Sequence, residues 1–137
     1  MECKKIFFDA NVVLDMVDIN RVEYSVANKL VKKVILSGYD ILISEDMLST
    51  IYYINKDKTA TLNFFKIIQD DWTIVSFSKE IIKDAIDISL EKNLDLEDVL
   101  QCLCAKNNNC DVLITNDKKF YDCGIKIMNT KEFLDEK

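Results

Sequence analysis

The chain has 137 residues, a formal net charge of −6, and 49% hydrophobic and 31% charged residues. That is the size and balance of one globular domain, here residues 1–137, rather than a disordered segment. It has no histidine and only two glycines, which excludes a Ser-His or Cys-His relay and a glycine-rich phosphate cradle. Any chemistry falls to carboxylates.

No apolar run approaches the roughly 20 residues that span a bilayer. Asp9 and Asn11 break the one apolar stretch near the N-terminus, so no export signal is expected. The expectation is a soluble cytoplasmic protein with no membrane association. Its five cysteines (Cys3, Cys102, Cys104, Cys110, Cys123) are then expected as reduced thiols packed as small hydrophobes. Three of them crowd one region, but without the paired spacing of a zinc site. The negative charge argues against a protein that coats nucleic acid. It is compatible with a nuclease whose site carboxylates are neutralised by metal. The lysine pairs Lys4-Lys5, Lys32-Lys33, Lys56/Lys58 and Lys118-Lys119 read as solvated surface.

In chain order, the first short apolar run is Ile6-Phe7-Phe8. A helical stripe of Val26, Leu30, Val31 and Val34 follows, then a second run, Ile41-Leu42-Ile43. Ser44 stands where an N-cap would open a helix carrying Met47, Leu48, Ile51 and Tyr52. Leu62, Phe65 and Ile68 mark a further helix before the run Thr73-Ile74-Val75. Ser78 would cap the next helix, with Ile81, Ile82, Ala85 and Ile86. Leu96, Val99, Leu100 and Leu103 form the stripe of the last long helix, expected to face the core, before Val112-Leu113-Ile114. Ile125–Met128 closes the set. Runs without polar alternation suit strands covered on both faces. Alternation with helices implies right-handed crossovers and a three-layer α/β/α sandwich on a mostly parallel sheet.

In such sheets ligands gather outside the carboxyl ends of the strands, which singles out particular acids. Asp9 directly follows the first strand, with Asn11 two residues on, and Asp117 follows the fourth strand. Asp95 and Asp98, at i and i+3, share one face of a helix start that should sit on the same edge. Taken singly, each has a bland reading as a helix cap or first-turn acid. Together, Asp9, Asp98 and Asp117 would converge from three segments, where crowded carboxylates raise each other's pKa values until a cation neutralises them. Hard oxygen donors select magnesium or manganese.

These motifs resemble those of PIN domains. Phe8-Asp9-Ala10-Asn11-Val12-Val13-Leu14-Asp15 is similar to their opening motif, and Asp95-Leu96-Glu97-Asp98-Val99-Leu100-Gln101 to their acidic helix start. Leu113-Ile114-Thr115-Asn116-Asp117-Lys118-Lys119-Phe120 resembles their last acidic motif, and Ile127–Leu134 their closing strand and helix. The likeness spans essentially the whole chain in the right order, and is to bacterial ribonuclease toxins of the VapC type and related uncharacterised PIN proteins. It departs at Thr50, where many members carry a glutamate. A second metal position loses a ligand there, and Asp95 or Glu97 are the candidates to compensate.

The resemblance implies an endoribonuclease in which Mg2+ or Mn2+ is held by Asp9, Asp98 and Asp117. Asp95 would attend a second ion or outer waters, Asn11 would orient Asp9 or a water, and Thr50 would offer a hydroxyl. It also implies an RNA substrate, an antitoxin partner and a homodimer. Three rival readings exist. An aspartyl phosphatase needs an aspartate where Asn11 stands. A receiver domain needs a phosphoacceptor after the third strand. The third is a PIN-fold binding module without catalysis, which Thr50 keeps open.

Overall fold

The computed structural model describes residues 4–136. Cys3 therefore lies outside the described residues. Among them, five parallel strands form one sheet: β1 Lys5–Phe8, β2 Asp40–Ser44, β3 Thr73–Val75, β4 Val112–Ile114 and β5 Ile127–Met128, in the order β3-β2-β1-β4-β5. The central strand, β1, is buried over its last three residues. Ile6, Phe7 and Phe8 are each 0% exposed, and full burial of such side chains stabilises by roughly 1.5–3 kcal/mol apiece.

The helices are α1 Ala10–Val17, α2 Tyr24–Leu36, α3 Asp46–Ile54, α4 Lys58–Asp71, α5 Lys79–Lys92, α6 Leu96–Asn107 and α7 Thr130–Asp135. Those of the β1–β2 and β2–β3 crossovers, α1 to α4, pack on one another, with α7 against α2; α5 and α6 pack together, α6 also against β2. Right-handed crossovers demand this division, because the chain moves one way along the sheet from β1 to β3 and the other way to β4. The expected three-layer α/β/α architecture is the one observed. Trp72 holds the β2–β3 corner, its ring meeting Phe8 and Phe64 edge-on at 5.7 Å each.

Three local expectations are corrected. Ser78 caps α5 through Ile81 N–H at 3.1 Å, but Ser44 does not cap α3. Its hydroxyl donates to the Asp46 carboxylate, and Glu45 holds the cap position without a side-chain bond. The buried face of α6 is Val99, Gln101, Cys102, Cys104 and Ala105, whereas Leu96 is 44% exposed. Small side chains let α6 lie close on the sheet, and the larger leucines move to the flank. Finally, the thiols are not all reduced: Cys102 and Cys123 form a disulfide. Cys104 and Cys110 are free and buried. Burial pushes their thiols up to about 12 and about 11, which leaves them inert as nucleophiles or ligands at neutral pH.

The lysine pairs are more structural than expected. Lys33 Nζ donates to the carbonyls of Phe133 (2.6 Å) and Leu134 (3.1 Å), and Lys58 Nζ to that of Asn55 (2.9 Å). Both satisfy carbonyls at helix ends, which have no partner within the helix.

Candidate active site

Strands are added to one side of β1 up to β3 and to its other side from β4 on, and the acids lie at that switch point between β1 and β4. The register pairs Phe8 with Ile114, so the next residue of each strand, Asp9 and Thr115, must also meet. Asp9 N–H donates to the Ile114 carbonyl at 3.0 Å, and the Thr115 hydroxyl donates to Asp9 Oδ2. The other carboxylate oxygen, Oδ1, accepts from Asn11 N–H at 2.6 Å, making Asp9 the N-cap of α1. Asp9 is thus pinned on both oxygens while only 4% exposed. Thr115 Oγ1 in turn accepts Asp117 N–H at 3.2 Å, and Asp117 Oδ1 accepts Lys119 N–H at 2.9 Å. A single hydroxyl couples two of the acids.

The third arrives on α6. Asp95 is its N-cap, accepting Asp98 N–H at 3.1 Å. This turn lines a cavity of about 300 Å³ whose wall includes Asn11, Thr50, Asp95, Glu97, Asp98 and Asp117. Burial raises the Asp98 carboxyl to about 7, with repulsion from Asp95, Asp9, Asp117 and Glu97 adding to it. Asp9 is raised by burial against the bonds from Thr115 and Asn11, with Asp117 and Asp15 contributing repulsion. Glu97 is raised by burial and then by Asp46, Asp95 and Asp9, although Gln101 Nε2 donates to it at 3.2 Å. Repulsive strain of this kind is what a bound cation relieves.

The donor chemistry fits a hard divalent ion: carboxylates, one amide and one hydroxyl, with no imidazole. As the side chains stand, no three acids or thiols among the described residues are drawn tightly enough together to form a ligand shell.

A model of the family described as "PIN domain" matches residues 6–126. The chain belongs to the PIN domain family. Ribonuclease VapC1 of Aquifex aeolicus (strain VF5) is 33% identical over 139 residues, covering 98% of this chain and 96% of the relative. Among solved structures, VapBC2 from Rickettsia felis bound to a promoter DNA fragment superposes at a TM-score of 0.67. It has 18% identity and covers 91% of this chain and 98% of the other. Mycobacterium tuberculosis VapC20, a sarcin–ricin loop cleaving toxin, reaches 0.69 with 12% identity, covering 88% and 95%.

Within this PIN fold, the expected Asp9, Asn11, Thr50, Asp95, Asp98 and Asp117 all fall on or beneath the one cavity. Asn11 bonds Asp9 through its backbone N–H, at 2.6 Å from Oδ1. Asp117 opens a turn, with Phe120 N–H bonded to its carbonyl at 3.1 Å, rather than capping a helix. Three residues at or beside the site escaped the sequence reading. Thr115 sits in the last acidic motif, and strand register would have paired it with Asp9. Asp15 and Arg21 form an ion pair of 2.6 Å beside the site, which spacing alone does not signal.

Proposed function

We propose that this chain is a divalent-metal-dependent endoribonuclease that hydrolyses RNA phosphodiesters as the toxin of a toxin–antitoxin pair. What supports this reading is a shared setting for the acids: Asp98 and Asp117 line one cavity, Thr115 bonds both Asp9 and Asp117, and the Asp98 carboxyl is raised to about 7 by burial and by the neighbouring acids. The relative at 33% identity, a ribonuclease over nearly its whole length, supports the same reaction.

Asp9, Asp98 and Asp117 would hold Mg2+ or Mn2+, with Asp95 and Glu97 placed to bind waters around it or a second ion. Bound there, such an ion lowers the pKa of a water and offsets charge developing on the phosphate. The protein's own contribution is preorganisation. Thr115 and the Asn11 N–H fix the Asp9 carboxylate, and the α6 cap fixes the Asp98 backbone. Thr50, half-buried on the cavity wall, offers a hydroxyl toward the scissile phosphate in place of a fourth acid.

Residues 1–137 would act as a single unit in the cytoplasm, where an RNA substrate and an antitoxin partner would be met, and as a homodimer. No helix among the described residues is long and apolar enough to cross a membrane. Asp9→Asn keeps the size of the side chain and one acceptor oxygen, for the Asn11 N–H, but turns the other oxygen into a donor and removes the charge. The variant is expected to keep the wild-type circular dichroism and melting profile while losing manganese-dependent cleavage of a structured RNA. Wild-type rates from Asp9→Asn, or cleavage untouched by chelator, would refute the reading. A PIN module that binds RNA without cutting it is the alternative favoured by Thr50, and an inactive wild type that still binds RNA would select it.

A further inference from the structure

A groove of about 910 Å³ lies on the other side of Asp117 from the acid cavity, lined in part by Asn11, Asp15, Arg21, Asp117, Lys118 and Lys131. Arg21 is the only arginine among the chain's 18 lysine and arginine residues. It is carried by the turn between α1 and α2. Arg21 N–H donates to the Asp18 carbonyl and its own carbonyl accepts Tyr24 N–H, both at 3.1 Å, while Asn20 N–H donates to Asp18 Oδ1 at 3.0 Å. This double turn sends the side chain back across α1, where Nε donates to Asp15 Oδ1 at 2.6 Å.

Asp15 lies one helical turn after Asn11, on the same face of α1, and is 7% exposed. The Arg21 side chain is 33% exposed. Nε is its one side-chain bond among the described residues, so four N–H donors on the two terminal nitrogens remain for the groove. As a stability device the pair is poor, because desolvating an aspartate offsets what the ion pair returns. As an orienting device it is effective. The buried carboxylate fixes a planar fork whose geometry matches two phosphate oxygens, which a lysine ammonium cannot reproduce.

We infer that Arg21, aimed by Asp15, binds a backbone phosphate of the RNA strand in the groove flanking the acid site. This rests on the nuclease reading and adds a substrate contact outside the metal-holding acids. Arg21 is a substrate-binding residue, and Asp15 a positioning residue acting through it. The groove carries its own acids, Glu23, Asp122 and Glu132, so one fixed cation near Asp117 counts for more than another mobile lysine.

The test uses the full-length chain and a fluorescently labelled single-stranded RNA, with binding measured in chelator so that nothing is cut. Arg21→Gln keeps a donor for Asp15 and removes the charge. Pairing it with Asp15→Asn restores local neutrality, so repulsion from an unpaired Asp15 cannot mimic the loss. Both variants are expected to bind RNA about tenfold more weakly, as for one charge-assisted contact. The slope of log affinity against log salt is expected to fall by about one contact. Arg21→Lys should keep the slope and recover only part of the affinity. In cleavage assays with manganese, KM should rise while kcat changes less than threefold. Wild-type affinity and slope in the folded Arg21→Gln/Asp15→Asn protein, with wild-type cleavage intact, would overturn the role of Arg21 alone. A wild type that neither binds nor cuts RNA would overturn it together with the nuclease reading.

Discussion

The elevated Asp98 carboxyl turns metal binding into a pH-dependent event of calculable size. With a pKa of about 7 in the metal-free protein, Asp98 is about 90% ionised at pH 8 and about 10% at pH 6. A cation needs the ionised form, so manganese affinity should fall about tenfold between those values from this residue alone. Asp9 and Glu97 are raised for the same reasons and steepen the dependence. At pH 7 about half a proton should leave Asp98 per ion bound, a quantity that calorimetry resolves by repeating the titration in buffers of different ionisation enthalpy. Without metal, the sign for stability is the reverse of the usual acid case. The folded state holds the Asp98 proton more tightly than the unfolded chain, whose aspartate releases it near 3.8. The metal-free fold therefore loses stability as pH climbs from about 4 through 7, and saturating manganese should cancel that loss. Asp98→Asn should flatten both profiles. A manganese affinity that changes less than twofold between pH 6 and pH 8 in the wild type would refute the account of a crowded, uncompensated acid cluster.

Two further outcomes are expected. Thr115→Val is nearly isosteric and removes the donor to the buried Asp9 carboxylate, a charged hydrogen bond worth about 2 kcal/mol. Cleavage should fall by at least tenfold and manganese should bind more weakly; unchanged kcat and metal affinity would remove Thr115 from the site. Cys102 and Cys123 are 21 positions apart, and in the chain-entropy model a cross-link of that span stabilises by about 3 kcal/mol. Cys102→Ser, or reduction, should therefore lower the urea midpoint without altering the manganese affinity of the folded protein. A midpoint indifferent to reductant would show that the bond is not formed in solution.

How much of this was legible beforehand follows from which interactions are local. The strands were readable because Ile6-Phe7-Phe8 and Val112-Leu113-Ile114 are continuous apolar runs that only a doubly covered sheet accommodates. Asp9 and Asp117 were readable because the ends of those runs define the ligand edge of the sheet. The orientation of α6 was not, since Leu96, Leu100 and Leu103 look more hydrophobic than Cys102 and Ala105. Close approach to the sheet favours small side chains over apolar ones, and periodicity does not distinguish the two. The Cys102–Cys123 bond depends on the path of the chain after β4, a tertiary fact. Thr115 needed the β1–β4 register, and Arg21 the fold of the turn after α1. Except at Ser44, whose hydroxyl turns to Asp46 two residues on, each miss is a contact between segments that the sequence keeps apart or links through an irregular turn.

The composition and the site express one electrostatic design. A chain of net charge −6 places Asp95, Glu97, Asp98 and Asp117 around one cavity with Asp9 buried at the end of β1 beside it, and Asp9, Glu97 and Asp98 resist ionising there. Such a cluster costs stability whenever it is empty of cations, and buried repulsion of this kind persists only where the surrounding fold over-determines it. The fold does so here: Asp9 is locked by a strand register, Asp98 by a helix cap, and Asp117 by the hydroxyl that also grips Asp9. None of these restraints depends on Thr50, so a threonine in that slot leaves the hydrogen bonds that hold Asp9, Asp98 and Asp117 unchanged. The same economy explains the single arginine. An acidic surface repels RNA, and a fixed guanidinium beside Asp117 supplies attraction next to the acids, where the scissile phosphate must lie.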